Sequence, residues 1–561
     1  MNVLSHGTPF FCDYDCLDRY AGPHEVRTAG NFERAHYRYD PRTEDAPALL
    51  ARIAREWRPD LLLCWMPEIH PPPQRIEEVQ VPTVALVSDW NVFYPLLETN
   101  LARYDVVLCD TPGAHVLRNS LVTPRHLFPL YSQITKFHKP YPEPKDIDVV
   151  FVGNLNHTAH SVRARYLERL GRFSGRYRIV IATQVYGEDY GRLLSRARIG
   201  FNHSIRGELN LRVFETMACG SLALLEEENL EVRDWFEPGR DLVLYNHANF
   251  EECIAHYLAH PGEARAIAER GMAKVNRFAG ENRLTELIDR AATVPSSGRP
   301  FRGLPPEERL YQDFIMYAFS QWDVYHAIEC ELLPRVMKAL PGDPRAWTAL
   351  GQHLANAYSD AGDEEQRRIR YMKAFAQAQR LAPGSAPYAL NLATAARACQ
   401  MVSQEADSLN MTLLATSLEG AQCLAGSIGH PFLIRWHRAV AERTATLAML
   451  HAEAHIRMAH LLAGRGEPSH AEEHLAQAET LDPGTSSGLS LLAELQWASR
   501  RKEEAIASLY ACMARHPMNP APRERLCEML AEMGREEEER LLSEDSMLIA
   551  RACQPLHPSQ S

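Results

Sequence analysis

The chain has 561 residues, room for about three or four domains. Apolar residues make up 45% and charged residues 24%, and the formal charge of −12 removes any global electrostatic case for binding nucleic acid. No run approaches the roughly 20 apolar residues of a membrane helix, and the opening MNVLSHG lacks the basic-then-apolar order of a secretory leader. Twelve cysteines show no paired metal-ligand spacing. Cys12 and Cys16 have no later pair to complete a zinc site, so the expectation is no metal and ordinary thiols in a reducing cytoplasm.

Val3 and Leu4 start a short apolar strand that runs into His6-Gly7-Thr8-Pro9, the glycine loop of a first strand-to-helix turn or an ordinary turn. Strands follow over 24–29, 60–65, 83–87, 105–109 and 126–130, with a helix over 46–57 and another opening at Thr111-Pro112-Gly113. Strands alternating with helices over residues 1–138 argue a Rossmann-like domain with a parallel sheet. Two strand ends carry polar residues, Pro67-Glu68-Ile69-His70 and Ser88-Asp89-Trp90-Asn91, and both should face a ligand cleft. Asp89 reads equally as a general base or acceptor contact and as the N-cap of the next helix. Glu68 and His70 are further candidates.

Lys139-Pro140-Tyr141-Pro142-Glu143-Pro144 is a stiff link to a second α/β domain over 145–294. Its first strand, 148–152, ends in Gly153-Asn154 and a polar loop over 155–161. A helix with Arg163, Arg165, Leu167 and Leu170 follows, then a strand over 178–182 with the end loop Thr183-Gln184-Val185-Tyr186-Gly187, and a helix over 190–197. The stretch 200–225, GFNHSIRGELNLRVFETMACGSLALL, then reads as strand, polar loop, helix from Leu211 to Ala218, glycine stop at Gly220, and strand. Loop and helix N-terminus fall at the carboxyl edge of the sheet, where backbone amides and the positive helix end suit phosphate. Arg206 and Arg212 add charge there, and Glu215, one turn into the helix, comes within reach of a ligand hydroxyl.

Residues 295–300 read as a linker, and the text from 305 to 561 is helical throughout. Ala471, Leu475, Ala478 and Pro483 recur 34 residues later as Ala505, Leu509, Cys512 and Pro517, the mark of tetratricopeptide-type repeats. Trp347, Gly351, Phe375, Ala378 and Pro383 suggest a further copy, and 523–541 a capping pair. Such a solenoid binds peptides or partner proteins on its concave face, or only dimerises or stiffens the chain. The acidic run from Glu536 to Glu539 reads as a solvated helix face.

Several of these stretches together resemble a known family. They are Phe151-Val152-Gly153-Asn154; Asn210-Leu211-Arg212-Val213-Phe214-Glu215 with Ala218-Cys219-Gly220; Trp235-Phe236-Glu237-Pro238-Gly239-Arg240-Asp241; and a helix holding Pro261 and Gly271. In that order they are similar to the C-terminal domain of GT-B glycosyltransferases (glycosyl transferases group 1), nearest to the CgeB-like branch. The resemblance covers about 148–290, and the first 135 residues only as architecture. It implies a nucleotide-sugar donor, with UDP, GDP and dTDP not distinguished, bound to the second domain across a cleft from an acceptor-side first domain. Glu215 would accept from the ribose hydroxyls. Arg212, Arg206 and the amides near Asn210 would hold the diphosphate. Thr183 and Tyr186 would flank the base, and Gly153-Asn154 would let the donor approach the backbone. Asp89 and His203 are the catalytic candidates.

A leaving nucleoside diphosphate held by arginines and a helix end needs no metal and no bound cofactor. Retaining members carry a glutamate eight positions before the ribose glutamate; here that place is Gly207 and the nearest acid is Glu208, so Asp89 keeps an inverting, general-base course open. The expectation is α/β plus all-α: two Rossmann-like domains and a helical solenoid forming a cytoplasmic, metal-independent hexosyl-type transferase. Its acceptor would be a protein recruited by the repeats, such as flagellin or another bacterial surface protein, with a homo-oligomer left open. The alternatives are a transferase for lipid-linked or surface polysaccharide glycans, and a non-catalytic scaffold on an inactive GT-B fold.

Overall fold

The computed structural model describes residues 1–7, 20, 22–119, 121–122, 125–127, 130–155, 160–318, 323–356, 364–425, 430–483 and 487–553. Thr8-Pro9, Cys12, Cys16 and the middle of the 155–161 loop lie outside the described residues.

Seven strands form a parallel sheet in the order β3-β2-β1-β4-β5-β6-β7. They are β1 (Asn2–His6), β2 (Glu25–Gly30), β3 (Tyr37–Arg38), β4 (Leu61–Trp65), β5 (Thr83–Leu86), β6 (Val106–Cys109) and β7 (Arg125–His126). The sequence LLLCW of β4 is buried at every position, as a central parallel strand covered on both faces requires. A second parallel sheet has the order β12-β11-β10-β8-β9. Its strands are β8 (Ile147–Val152), β9 (Ile179–Ala182), β10 (Ala197–Phe201), β11 (Leu222–Glu226) and β12 (Val243–Tyr245). Val3, Leu63 and Leu108 of the first sheet belong to one continuous apolar cluster with Leu225 of the second and with Val213 and Phe214 of the helix Leu211–Ala218.

The connections are pinned rather than loose. In the proline-rich link the Tyr141 amide donates to Ser195 Oγ (2.8 Å), and Lys145 Nζ donates to Ala197 O (2.6 Å) and Ser221 Oγ (3.0 Å). Burial pushes that ammonium down to about 8. The helix Glu281–Thr293 returns to the N-terminal part of the chain, where Tyr20 Oη and Thr285 Oγ1 are 2.7 Å apart. The stretch 295–300, expected as a linker, is anchored by Arg299: its Nε donates to Asp105 Oδ2 (2.8 Å) and its Nη2 to Val81 O (2.6 Å), with the residue only 5% exposed.

The chain divides into two units, 1–88 with 101–302 and 536–561, and 89–100 with 303–535. Two segments thus cross the expected division into 1–138, 145–294 and 305–561. The helix Trp90–Asn100 packs within the helical unit, where Leu96 joins the cluster of Tyr311, Phe314 and Ile328, and Asn100 Nδ2 donates to Gln312 Oε1 at 3.2 Å. The helix Glu536–Ala552 belongs to the first unit, against the helix Ser161–Arg172. Arg172 Nε donates to Asp545 Oδ1 (2.6 Å), and a Cβ at Gly171 would meet Ile549 at 3.1 Å. The second half of the expected capping pair is therefore a cover for an α/β helix: its apolar side chains Leu548 and Ile549 are used there.

In the helical unit consecutive helices pack in pairs, among them Leu447–Gly464 with Pro468–Leu481 and Leu489–Ala498 with Lys502–Arg515. The periodic small and bulky positions Ala471, Leu475, Ala478, Ala505, Leu509 and Cys512 are all buried. Arginine-to-carboxylate contacts step along the array, Arg515 to Glu479 and Arg535 to Glu503, at separations of 36 and 32 residues. Among the described residues no helix is long and apolar enough to cross a membrane.

Candidate functional site

In the second sheet β8 lies between β10 and β9, so the strand order reverses beside it. Crevices at the carboxyl ends of such switch points are where open α/β sheets bind ligands. A cavity of about 580 Å³ opens there, within the usual size of small-molecule sites. Gly153 and Asn154 leave β8 at its base. Thr183 to Gly187 leave β9 along one side, Arg212 and Glu215 face in from the helix Leu211–Ala218, and Phe137 and His138 close it from the 134–138 link. Gln184 (φ 58°) and Gly187 (φ 59°) both have left-handed backbone and bracket Val185 and Tyr186; the Tyr186 ring is 77% exposed.

Arg212, which lines the cavity, shares one aromatic ring with Arg163, which does not. The Arg212 guanidinium lies 4.6 Å and that of Arg163 5.3 Å from the centre of the Phe151 ring. Arg212 is aimed by Nε to Val152 O (2.6 Å) and Nη1 to Asn202 Oδ1 (2.7 Å), which leaves Nη2 without a hydrogen-bond partner among the described residues. The space beside Nη2 exists because residue 153 is glycine: a Cβ there would fall 2.3 Å from it. Arg163 Nη2 donates to Asn154 O (2.7 Å), while its Nε is buried without a partner. Burial, with Arg212 repelling it, pushes Arg163 down to about 9. Burial and then the neighbouring arginines Arg163, Arg212 and Arg206 hold His160 near 3, a neutral imidazole. Arg212 Nη2, on the cavity and beside a second, buried arginine, has the charge and the spare donor that suit an anion.

At the other side Glu215 Oε2 accepts from Tyr190 Oη (2.8 Å), and Oε1 lies 3.7 Å from His138 Nε2. His138 Nδ1 accepts the Ile134 amide (3.0 Å), so Nε2 carries the proton directed at Glu215. Burial lowers the His138 pKa, which Glu215 partly offsets, and burial holds the Tyr190 phenol far above its ordinary value. Glu215, at 12% side-chain exposure, is thus an oriented acceptor-only group beside a cationic patch.

Residues 135–289 match the family described as glycosyl transferase-like. Over those residues the chain is similar to glycosyl transferases. Similar solved structures include sucrose-phosphate synthase (tll1590) from Thermosynechococcus elongatus, 12% identical, with 52% of this chain and 98% of that one covered at a TM-score of 0.36. Anabaena Alr3699/HepE in complex with UDP and glucose is 13% identical, with coverages of 52% and 99% and a TM-score of 0.34. The pneumococcal O-GlcNAc transferase GtfA in complex with UDP and GlcNAc is 11% identical, with coverages of 42% and 57% and a TM-score of 0.32. No curated protein matches the chain.

Gly153, Asn154, Thr183, Tyr186, Arg212 and Glu215 line the cavity. Arg206 does not. Its Nη2 donates to Asp110 Oδ2 (3.1 Å) and Ser88 O (3.2 Å), and its amide to Glu208 Oε2 (2.8 Å). It sits in a buried acidic cluster that joins the two sheets, where burial raises Asp110 to about 6 against the pull of Arg206. Glu208 is 3% exposed in the same cluster. Asn210 precedes the helix as its N-cap residue, with Oδ1 buried and unbonded and no side-chain cap. His203 Nδ1 lies 2.8 Å from Tyr245 Oη, and burial then Arg163 bring its pKa down to about 4. Asp89 is in the helical unit, its carbonyl accepting from the Val92 and Phe93 amides at the start of the helix Trp90–Asn100. Glu68 is buried, Oε1 accepting the Ser88 amide at 2.8 Å, and burial lowers the His70 pKa.

The sequence reading passed over Arg163, His160, His138 and Tyr190 as site residues. For Arg163 and His160 a signal was present, since a histidine and an arginine three apart open the helix that follows the Gly153-Asn154 loop. His138 and Tyr190 come from the link and a neighbouring helix, and nothing local marks them.

Proposed function

We propose that the chain is a GT-B glycosyltransferase that moves a sugar, of hexosyl type, from a nucleotide-sugar donor to a protein acceptor held by tetratricopeptide-type repeats. The observation that carries the reading is the cavity at the β8 switch point, lined by Arg212, whose Nη2 is left without a hydrogen-bond partner among the described residues, and by the oriented Glu215 carboxylate. The glycosyl transferase-like match over 135–289 supports it.

In this reading Glu215, aimed by Tyr190 and His138, accepts from the ribose hydroxyls, and Tyr186 and Thr183 flank the base. Arg212 Nη2 and the amides at the start of the helix Leu211–Ala218 receive the diphosphate, with the charge of Arg163 nearby. When the bond from the anomeric carbon to the diphosphate oxygen breaks, the electron pair leaves with the diphosphate. The arginines and helix end stabilise that growing charge without a metal, in a site dry enough for the interaction to count. The acceptor oxygen bonds to the anomeric carbon and gives its proton to a base. His203, neutral and tied to Tyr245, is assigned to positioning the Ser204–Glu208 loop.

Titrating the full chain with UDP, GDP and dTDP by calorimetry tests the donor site. One of them should bind, and Arg212→Ala and Glu215→Ala should each weaken it by roughly 10–100-fold. No binding of any of the three would overturn the proposal in favour of a scaffold. Incubation with radiolabelled donor and flagellin, beside a lipid-linked acceptor, tests the acceptor class; label confined to the lipid would sink the protein-acceptor reading.

A further inference from the structure

The helical unit holds a cluster of ligating side chains that the sugar-transfer reading does not use. His326 and Cys330 stand one turn apart on the helix Asp323–Ala339, and His353 comes from the helix Pro344–Asn356. One ligand atom from each lies within 4.8 Å of the others.

Two further observations point to an ion there. Glu329, 7% exposed, holds both histidines: His326 Nδ1 lies 3.0 Å from Oε2 and His353 Nδ1 2.8 Å from Oε1. The two rings are stacked, 5.4 Å apart and 15° from parallel. A carboxylate that takes Nδ1–H fixes the tautomer in which Nε2 is a bare lone pair, the arrangement found behind metal-binding histidines. The Cys330 Sγ is 3.6 Å from His326 Nε2. A tetrahedral ion with sulfur at about 2.3 Å and imidazole nitrogen at about 2.1 Å sets those two atoms about 3.6 Å apart.

We propose that His326, Cys330 and His353 bind one Zn²⁺ ion, with Glu329 as the carboxylate behind both histidines and water in the fourth position. Mixed nitrogen and sulfur donors in tetrahedral array select zinc over calcium or magnesium, which take oxygen. Binding removes the Cys330 thiol proton to solvent, and the ion ties the Asp323–Ala339 helix to the Pro344–Asn356 helix. The site is separate from the proposed glycosyl chemistry and stands whether or not that proposal holds.

The test uses the full chain, freed of metal with a chelator. Co²⁺ titration is followed by thiolate-to-cobalt charge-transfer absorption and tetrahedral d–d bands, and Zn²⁺ by calorimetry. The expected result is one ion per chain. Cys330→Ser and His353→Asn should each lose it by at least 100-fold, and Glu329→Gln should weaken it by roughly 10–100-fold. Cys330 is exposed, so Cys330→Ser should keep the fold, which circular dichroism verifies. No binding of either ion by the wild type, or equal binding by Cys330→Ser and His353→Asn, overturns the proposal.

Discussion

Replacing Gly153 by alanine tests how the anion end of the pocket is built. The new Cβ would stand 2.3 Å from Arg212 Nη2 and 3.1 Å from Phe151 Cζ. Ordinary contact begins near 3.4 Å, so the guanidinium has to move by about 1 Å. It is held on its far side by the Val152 carbonyl at 2.6 Å and Asn202 Oδ1 at 2.7 Å. Such a shift breaks at least one of these charge-assisted bonds, each worth about 1.5–3 kcal/mol. If that free energy appears in donor binding, nucleoside diphosphate affinity falls by roughly 10–100-fold. The assay is calorimetry on the wild type, Gly153→Ala, Arg212→Ala and the double variant. Because the clash is with Arg212, Gly153→Ala should be nearly silent once residue 212 is alanine. An equal loss on both backgrounds, or a Gly153→Ala affinity within twofold of the wild type, would refute the reasoning.

Three other outcomes are expected. Tyr190→Phe removes the 2.8 Å bond to Glu215 without changing the packing volume, and should weaken nucleoside diphosphate binding by about tenfold; unchanged affinity in the same titration would remove Tyr190 from the site. Glu226 is raised by burial from 4.5 to about 7, so the folded state keeps a proton that the unfolded chain has released. Stability therefore falls as pH rises from 4.5 to 7, and Glu226→Gln should flatten that fall and be the more stable protein at pH 8, by at most about 3 kcal/mol; urea midpoints at pH 5 and 8 decide it. Arg299→Ala should destabilise by about 3–5 kcal/mol, because Asp105 and the 79–81 carbonyls lose a buried cation. A loss under 1 kcal/mol on urea denaturation would show the anchor to be incidental.

The strands were readable because parallel strands buried on both faces must be apolar runs, as LLLCW in β4 shows. β3 is not legible in the sequence, since two residues, Tyr37–Arg38, carry no period. The pocket was legible where its parts sit at strand ends, at Gly153-Asn154, Thr183 to Tyr186, and Arg212 with Glu215. Arg206 shows the limit. A loop arginine before a helix looks the same whether it faces phosphate or a carboxylate, and Asp110, 96 residues away, could not be set beside it from local pattern. The helix Trp90–Asn100 posed the same problem, because its apolar face fits a sheet as well as it fits a helical array.

That helix, together with Glu536–Ala552, has a consequence for how the chain is made. Residues 89–100 leave the ribosome early, yet Leu96 packs in a cluster with Tyr311, Phe314 and Ile328. The helix Ser161–Arg172 likewise waits for Asp545 and Ile549, near the end of translation. Neither unit can finish folding before most of the other has been synthesised, so the usual order of one domain closing behind another does not apply. A nascent chain halted near residue 305 would display unpaired apolar faces at both places. Chaperone binding to ribosome-stalled intermediates should therefore persist past residue 305 and decline only after 552 is exposed.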